Sequence, residues 1–224
     1  FPALKTVASE AWQCPTLLLN GFGEHRIEGI GDKHVPWVHN VRDTDAVAAI
    51  DDEDCLRILR LFNEPAGREH LVARGVGEGE VEQLGWLGIS SIANLLAAIK
   101  TAKYFELGEG TCCSPCSRIR PIFTRRAWRS CASSGGAYTE KDAVADYAGP
   151  LAHQGRDGFK ELTYPERKAI HNLKYYMWVE QQGKTVQELN AQWDPEYWRA
   201  RFEDEVAYFD QLITEFNRQA GAAD

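Results

Sequence analysis

Apolar residues recur along this chain in two rhythms, and the rhythm changes part-way. Leu4 to Ala8 alternates apolar and polar residues and predicts a short strand, and Pro15 to Leu19 predicts another. Gly21, Gly23, Gly29 and Gly31 then surround Glu24-His25-Arg26-Ile27-Glu28, a density that suits a loop or a close approach of backbone to something else. Asp51 or Asp52 caps a predicted helix through Phe62, with acidic residues in its first turn and Pro65 and Gly67 beyond its end. Leu56, Leu59 and Phe62 form its inner face. From Ile92 to Lys103 the residues are good helix formers and apolar on most sides, which predicts a largely buried helix. It begins at Gly88-Ile89-Ser90-Ser91, where free N–H groups and small hydroxyls can face an anion or the polar rim of a ligand.

After position 136 helical spacing takes over. Pro165 to Gln181 predicts one helix, ended by Gly183, and Thr185-Val186-Gln187-Glu188 reads as a capping box for the next. Asp194-Pro195 opens a third, in which Trp198, Phe202, Val206, Phe209, Ile213 and Phe216 keep helical spacing. Such a stripe is expected to be core or a dimer contact rather than a ligand site.

Composition narrows the function. With 224 residues, 44% of them hydrophobic, the chain can bury a substantial core. No apolar run approaches the ~20 residues needed to cross a bilayer, so a cytoplasmic chain is expected. A net charge of −8 argues against general nucleic-acid binding. Phe1-Pro2-Ala3-Leu4 has no initiator methionine, basic n-region or apolar h-region, so no signal peptide is expected and the sequence reads as a start in mid-protein. His25 and His34 stand alone, with no second ligand pair at metal spacing, so no metal site and no catalytic role is assigned to them.

Two motifs carry a resemblance. His25-Arg26-Ile27-Glu28-Gly29-Ile30-Gly31, followed by Val35-Pro36, resembles the His-Lys-Ile-Gln-Gly-Ile-Gly segment of cysteine synthases. Further along, Gly88-Ile89-Ser90-Ser91 and its Ala-rich helix resemble the Gly-Ile-Ser-Ser-Gly-Ala helix start of the same enzymes, with Ile92 where the common pattern has glycine. The chain is thus similar to the C-terminal part of fold-type II pyridoxal-phosphate enzymes, the cysteine synthase and cystathionine β-synthase type. The resemblance implies an α/β fold with part of an open parallel sheet of the tryptophan synthase β type, then a helical C-terminal extension. It implies Gly29, Ile30, Gly31, Ser90 and Ser91 at the cofactor, pyridoxal 5′-phosphate, and β-replacement or β-elimination on a serine- or cysteine-derived amino acid. In the family the Schiff-base lysine and the glycine-rich phosphate loop lie upstream of the positions matched here. The alternative is a non-catalytic partner subunit or a damaged gene product; a homodimer, or pairing with a missing N-terminal half, is the expected association.

One stretch departs from its host. Thr111 to Gly135 holds five arginines and four of the six cysteines, with no Asp, Glu, Leu or Val. It falls where the family has a strand ending in a serine that contacts the pyridine nitrogen. Cys112, Cys113, Cys116 and Cys131 offer thiol ligands, but Cys113 and Cys116 lack a second Cys-x-x-Cys to close a zinc site. For one choice of codons, regrouping the bases from Gly110 encodes Asp-Val-Leu-Leu-Thr-Val-Leu-Thr-Asp-Ser, a buried strand followed by the missing Thr-Asp-Ser. The expected division is therefore residues 1–135 as catalytic-domain sequence, with 111–135 out of frame, and residues 136–224 as the helical extension. Resequencing the DNA that encodes Gly110 to Gly135 checks this: the shifted frame is expected to encode the strand, and a stop codon in it excludes the frameshift.

Overall fold

The computed structural model describes residues 4–115 and 136–221, and most of the anomalous stretch, residues 116–135, lies outside them. The described residues form a mixed α/β structure in two compact units, Phe1–Lys33 with Thr44–Thr163, and His34–Asp43 with Tyr164–Asp224. No single helix among the described residues is long and apolar enough to cross a membrane.

The first unit is built on three short strands: β1 (Val7–Ala11), β2 (Ala46–Ile50) and β3 (Phe159–Glu161), in that order across the sheet. β1 runs parallel to β2, with Val7 opposite Ala46 and Ala11 opposite Ile50; β3 is antiparallel to β2. β2 is buried along its whole length. Its alanines give little β propensity, which is why the apolar pattern leaves it unread. The stretch from 136 is not wholly helical, since β3 lies within it and returns to the sheet.

α1 (Thr16–Leu19) occupies the stretch whose apolar run predicts a strand. The reason is a single carboxylate. Glu10, buried at the end of β1, accepts hydrogen bonds from the Leu17 and Leu18 N–H groups at 2.9 and 2.8 Å, and so caps a helical turn. Burial pushes Glu10 above the usual carboxylate range, and these bonds oppose the shift.

α2 (Asp52–Asn63) matches its expectation, with Asp51 accepting from the Glu53 N–H at 2.8 Å and Leu56, Leu59 and Phe62 buried. α3 (Pro65–Ala73) and α4 (Glu78–Leu84) follow. α5 (Ile89–Tyr104) packs on β2 and α2, and buries Ile89, Ile92, Ala93, Leu96 and Ala97. Ile92 is a core residue, so the side chain that departs from the cysteine synthase pattern fills space rather than leaving it open. α6 (Glu140–Asp146) is tied to α2 by Arg57, whose Nε donates to Asp146 at 2.7 Å.

The second unit forms around a buried cation. α7 (Tyr164–Lys174) continues as a π-helical turn over Tyr175–Val179, and α8 (Val186–Ala191) starts at the Thr185 capping box. α9 (Pro195–Ala200), a π-helical turn over Arg201–Glu205 and α10 (Val206–Ala220) complete it. The Lys174 side chain is fully buried, and its ammonium donates to Trp37 O (2.9 Å), His39 O (2.7 Å) and Gln192 Oε1 (2.7 Å). Three donors meet three acceptors. The indole N–H of Trp178 donates to Val35 O at 2.8 Å, so the segment 34–43 is stitched by its backbone carbonyls to helices far along the chain. Burial pushes Lys174 down to about 7 and, with the Lys174 charge, pushes His39 and His171 down to about 4.

Two outcomes follow from this polar core. Lys174→Met removes three hydrogen bonds and takes the donor from buried Gln192 Oε1, while Trp37 O keeps the Gln192 amide and His39 O keeps the Val41 N–H, so it is expected to destabilise the second unit by ~1–3 kcal/mol, measured by urea unfolding. His39 and His171 have folded values below their unfolded ~6.5, so the unfolded chain binds more protons between about 6.5 and about 4. Stability is therefore expected to fall as pH falls through that window. Tryptophan fluorescence reports it, because Trp37, Trp178, Trp193 and Trp198 all lie in this unit; a urea midpoint unchanged between pH 7 and 4.5 would contradict it.

Candidate functional site

The glycine loop of the first unit is held from three sides. The Thr16 hydroxyl meets the carbonyl oxygens of Asp32 at 2.6 Å and Gly21 at 3.2 Å. Arg26 donates from its backbone N–H to Asp52 Oδ2 (2.9 Å) and from its guanidinium to Asp52 Oδ1 and Glu53 Oε2 (both 2.7 Å). Gln13 bridges the same corner, donating to Asp51 Oδ1 and accepting from the Asp52 N–H, both at 3.1 Å. Ile27, without exposed surface, plugs the loop into the core. The loop is irregular but anchored, which its polar composition alone does not predict.

Anchoring sets the two glycines. Gly29 (φ +95°) and Gly31 (φ +81°) both adopt left-handed backbone, where a side chain is strained. A Cβ on Gly29 would lie 3.5 Å from Ser90 Oγ, so the glycine loop rests against the first turn of α5. A Cβ on Gly31 would lie 3.2 Å from His25 Nε2 and 3.4 Å from Ala11 N, so that glycine fits between its own loop and the end of β1.

Beside this junction is a cavity of about 760 Å³, a size suited to a small organic ligand. Ile30, between the two glycines, is part of its wall. Thr6, Val7 and Ser9 of the β1 region, Asn94, Ala97, Ala98 and Thr101 of α5, and residues 111–115 supply more of it. The Ser9 hydroxyl is buried without a hydrogen-bond partner among the described residues, so a polar group in the cavity would satisfy it. Cys112 and Cys113 are free thiols in a segment that is exposed and forms neither helix nor strand.

Of the five residues expected at the cofactor, Ile30 lines the cavity, and Gly29 and Ser90 meet one another. Gly31 sits against His25 and Ala11. Ser91 is buried, its N–H donates to Gly88 O at 2.9 Å inside the first turn of α5, and it does not line the cavity. Ser9, Asn94 and Thr101 are wall residues that motif matching misses. The α5 pair was within reach of periodicity: Asn94 and Thr101 lie four and eleven residues beyond Ser90, one and three helical turns on. Ser9 needed the register of β1, which runs from Val7 rather than Leu4.

The lysines bear on whether pyridoxal phosphate fits. Lys100 is buried and donates to Asp157 O at 2.6 Å, and Lys103 donates to Gln154 O at 2.7 Å. Lys5 lines the cavity, but its half-exposed ammonium lies 3.7 Å from Glu161 and over the Phe105 ring. An ammonium so paired and solvated is a poor nucleophile. The described residues therefore suit one wall of a flat cofactor and do not hold the whole group. Compared with family models, with curated proteins and with solved structures, the chain matches none.

Proposed function

We propose that the first unit is part of a pyridoxal-phosphate enzyme of fold type II, acting at the β-carbon of a serine- or cysteine-derived amino acid. One observation carries this reading. The two motifs of the resemblance, more than fifty residues apart along the chain, fold against each other at Gly29 and Ser90, beside a ligand-sized cavity that Ile30 lines. Parallel pairing of β1 and β2 is compatible with one edge of the parallel sheet in the tryptophan synthase β type. In this reading Ile30 meets one face of the ring, Gly29 and Gly31 let the loop turn against Ser90 and against His25 and Ala11, and Ser9 offers its hydroxyl to the ligand. When bound, the cofactor supplies the electron sink for chemistry on the amino acid.

A second reading rests on the lysines. Since Lys100 and Lys103 spend their ammonium groups on carbonyls and Lys5 is paired, this chain taken alone is a non-catalytic piece that completes a site with a lysine and a phosphate cradle from elsewhere. The two readings share the cavity and differ in activity.

Titrating the chain with pyridoxal phosphate tests both. Weak binding is expected, and Ala98→Trp, which fills the cavity, is expected to abolish it; equal binding by both proteins would sink the proposed site. Borohydride reduction is expected to leave no lysine stoichiometrically modified, whereas a single modified lysine peptide would remove the second reading.

A further inference from the structure

The helix that ends the second unit carries an apolar stripe that the described residues do not cover. Phe202, Val206, Phe209, Leu212, Ile213 and Phe216 are each between 46% and 69% exposed, whereas Trp198, one turn before them, is buried. The stripe is continuous across a change of helix type. Phe202 stacks under Trp198 with ring centroids 6.3 Å apart, and the stripe runs through the π-helical turn at Arg201–Glu205 into the α-helix that follows. From Phe202 onward the spacing is four, three, four, three, the repeat of a coiled-coil seam.

We propose that this face pairs two copies of the chain, antiparallel, along α10. The seam is self-complementary in one direction only. Phe202, Phe209 and Phe216 occupy one heptad position and Val206 and Ile213 the other. An antiparallel pair sets Val206 against Phe216 of the second copy and Phe209 against Ile213 of the second copy, so these layers join a large ring to a branched aliphatic, and Phe202 at each end lies over the small Ala220. A parallel pair stacks ring on ring and leaves gaps at the aliphatic layers, which well-packed seams avoid. Charge selects the same direction. The acidic run Glu203-Asp204-Glu205 would face itself in a parallel pair, whereas the antiparallel one separates the two runs and brings each beside the Arg218–Glu215 pair of the other copy. Leu212, beside the seam, then meets Leu212 of the second copy, which accounts for an exposed leucine outside the heptad core.

The flanks ask for no other partner. Arg199, Arg201 and Arg218 are already paired within the helix, with Glu196, Glu203, Glu205 and Glu215. The polar side is mainly acidic, which disfavours an anionic lipid surface. The six apolar side chains present on the order of 600 Å² per chain, so pairing covers on the order of 1,200 Å², which reaches the range of stable dimers.

Sedimentation equilibrium of the full chain tests the pairing. A dimer is expected for the wild type, with Phe209→Glu and, separately, Ile213→Glu raising the dissociation constant at least tenfold while far-ultraviolet circular dichroism is unchanged; both side chains are more than half exposed, so neither variant disturbs the core. A monomeric wild type would overturn the proposal and leave the face to a different partner. A dimer that survives both substitutions would overturn it as well. Under mild oxidation, Leu212→Cys is expected to give covalent dimer above the wild-type background and Glu203→Cys is not; the reverse result would overturn the antiparallel arrangement.

Discussion

Five residues without exposed side chains constrain the first unit: Ala46, Val47, Ala48, Ala49 and Ile50. A strand buried on both faces must have its backbone groups paired on both edges, because no water reaches them. β1 satisfies one edge and β3 the other, which is why a three-residue strand from beyond position 155 returns to the sheet. The end of β2 then determines the site. It delivers Asp51 and Asp52 to the start of α2, where Asp51 caps the helix and the pair, through Gln13 and Arg26, holds the glycine loop. α5 packs on the same strand and carries Ser90 to that loop. Loop and helix start meet because each is fastened to β2.

The second unit solves a different problem. Its segment 34–43 contributes backbone carbonyls besides the buried side chains of Val35 and Val41, and buried carbonyls need donors. Lys174 supplies three hydrogens from one atom, and Gln192 and Trp178 add single bonds. The ammonium gives up its hydration for this, which is the cause of its lowered pKa. A core built on one buried cation and a few indoles is small, and α10 extends past it with its apolar stripe uncovered.

Much of the helical architecture was legible. Asp51, Thr185 and Asp194 cap the helices their positions predict, because capping is a local bond between a side chain and a nearby N–H. The turn at Pro15–Leu19 was not, since the carboxylate that nucleates it sits on β1. The stripe from Trp198 to Phe216 was correctly spaced for a helix, yet of the two expectations for it, core or dimer contact, core holds only for Trp198. Periodicity reports that a face is apolar and is silent on what lies against it.

By itself the sequence determined the glycine loop, the starts of α2, α5 and α8, and the pairing of motifs on which the resemblance rests, all consequences of spacing along the backbone. Only the tertiary structure decided that Gly29 faces Ser90, that the Ser9 hydroxyl is buried beside a cavity with no partner among the described residues, that Lys100 and Lys103 are spent on carbonyls, and that Lys174 is a core residue. Each of these depends on which distant groups share one small volume, and on the energy of leaving a polar atom without a partner there. Spacing along the chain does not encode that, whereas the packing around β2 and Lys174 does.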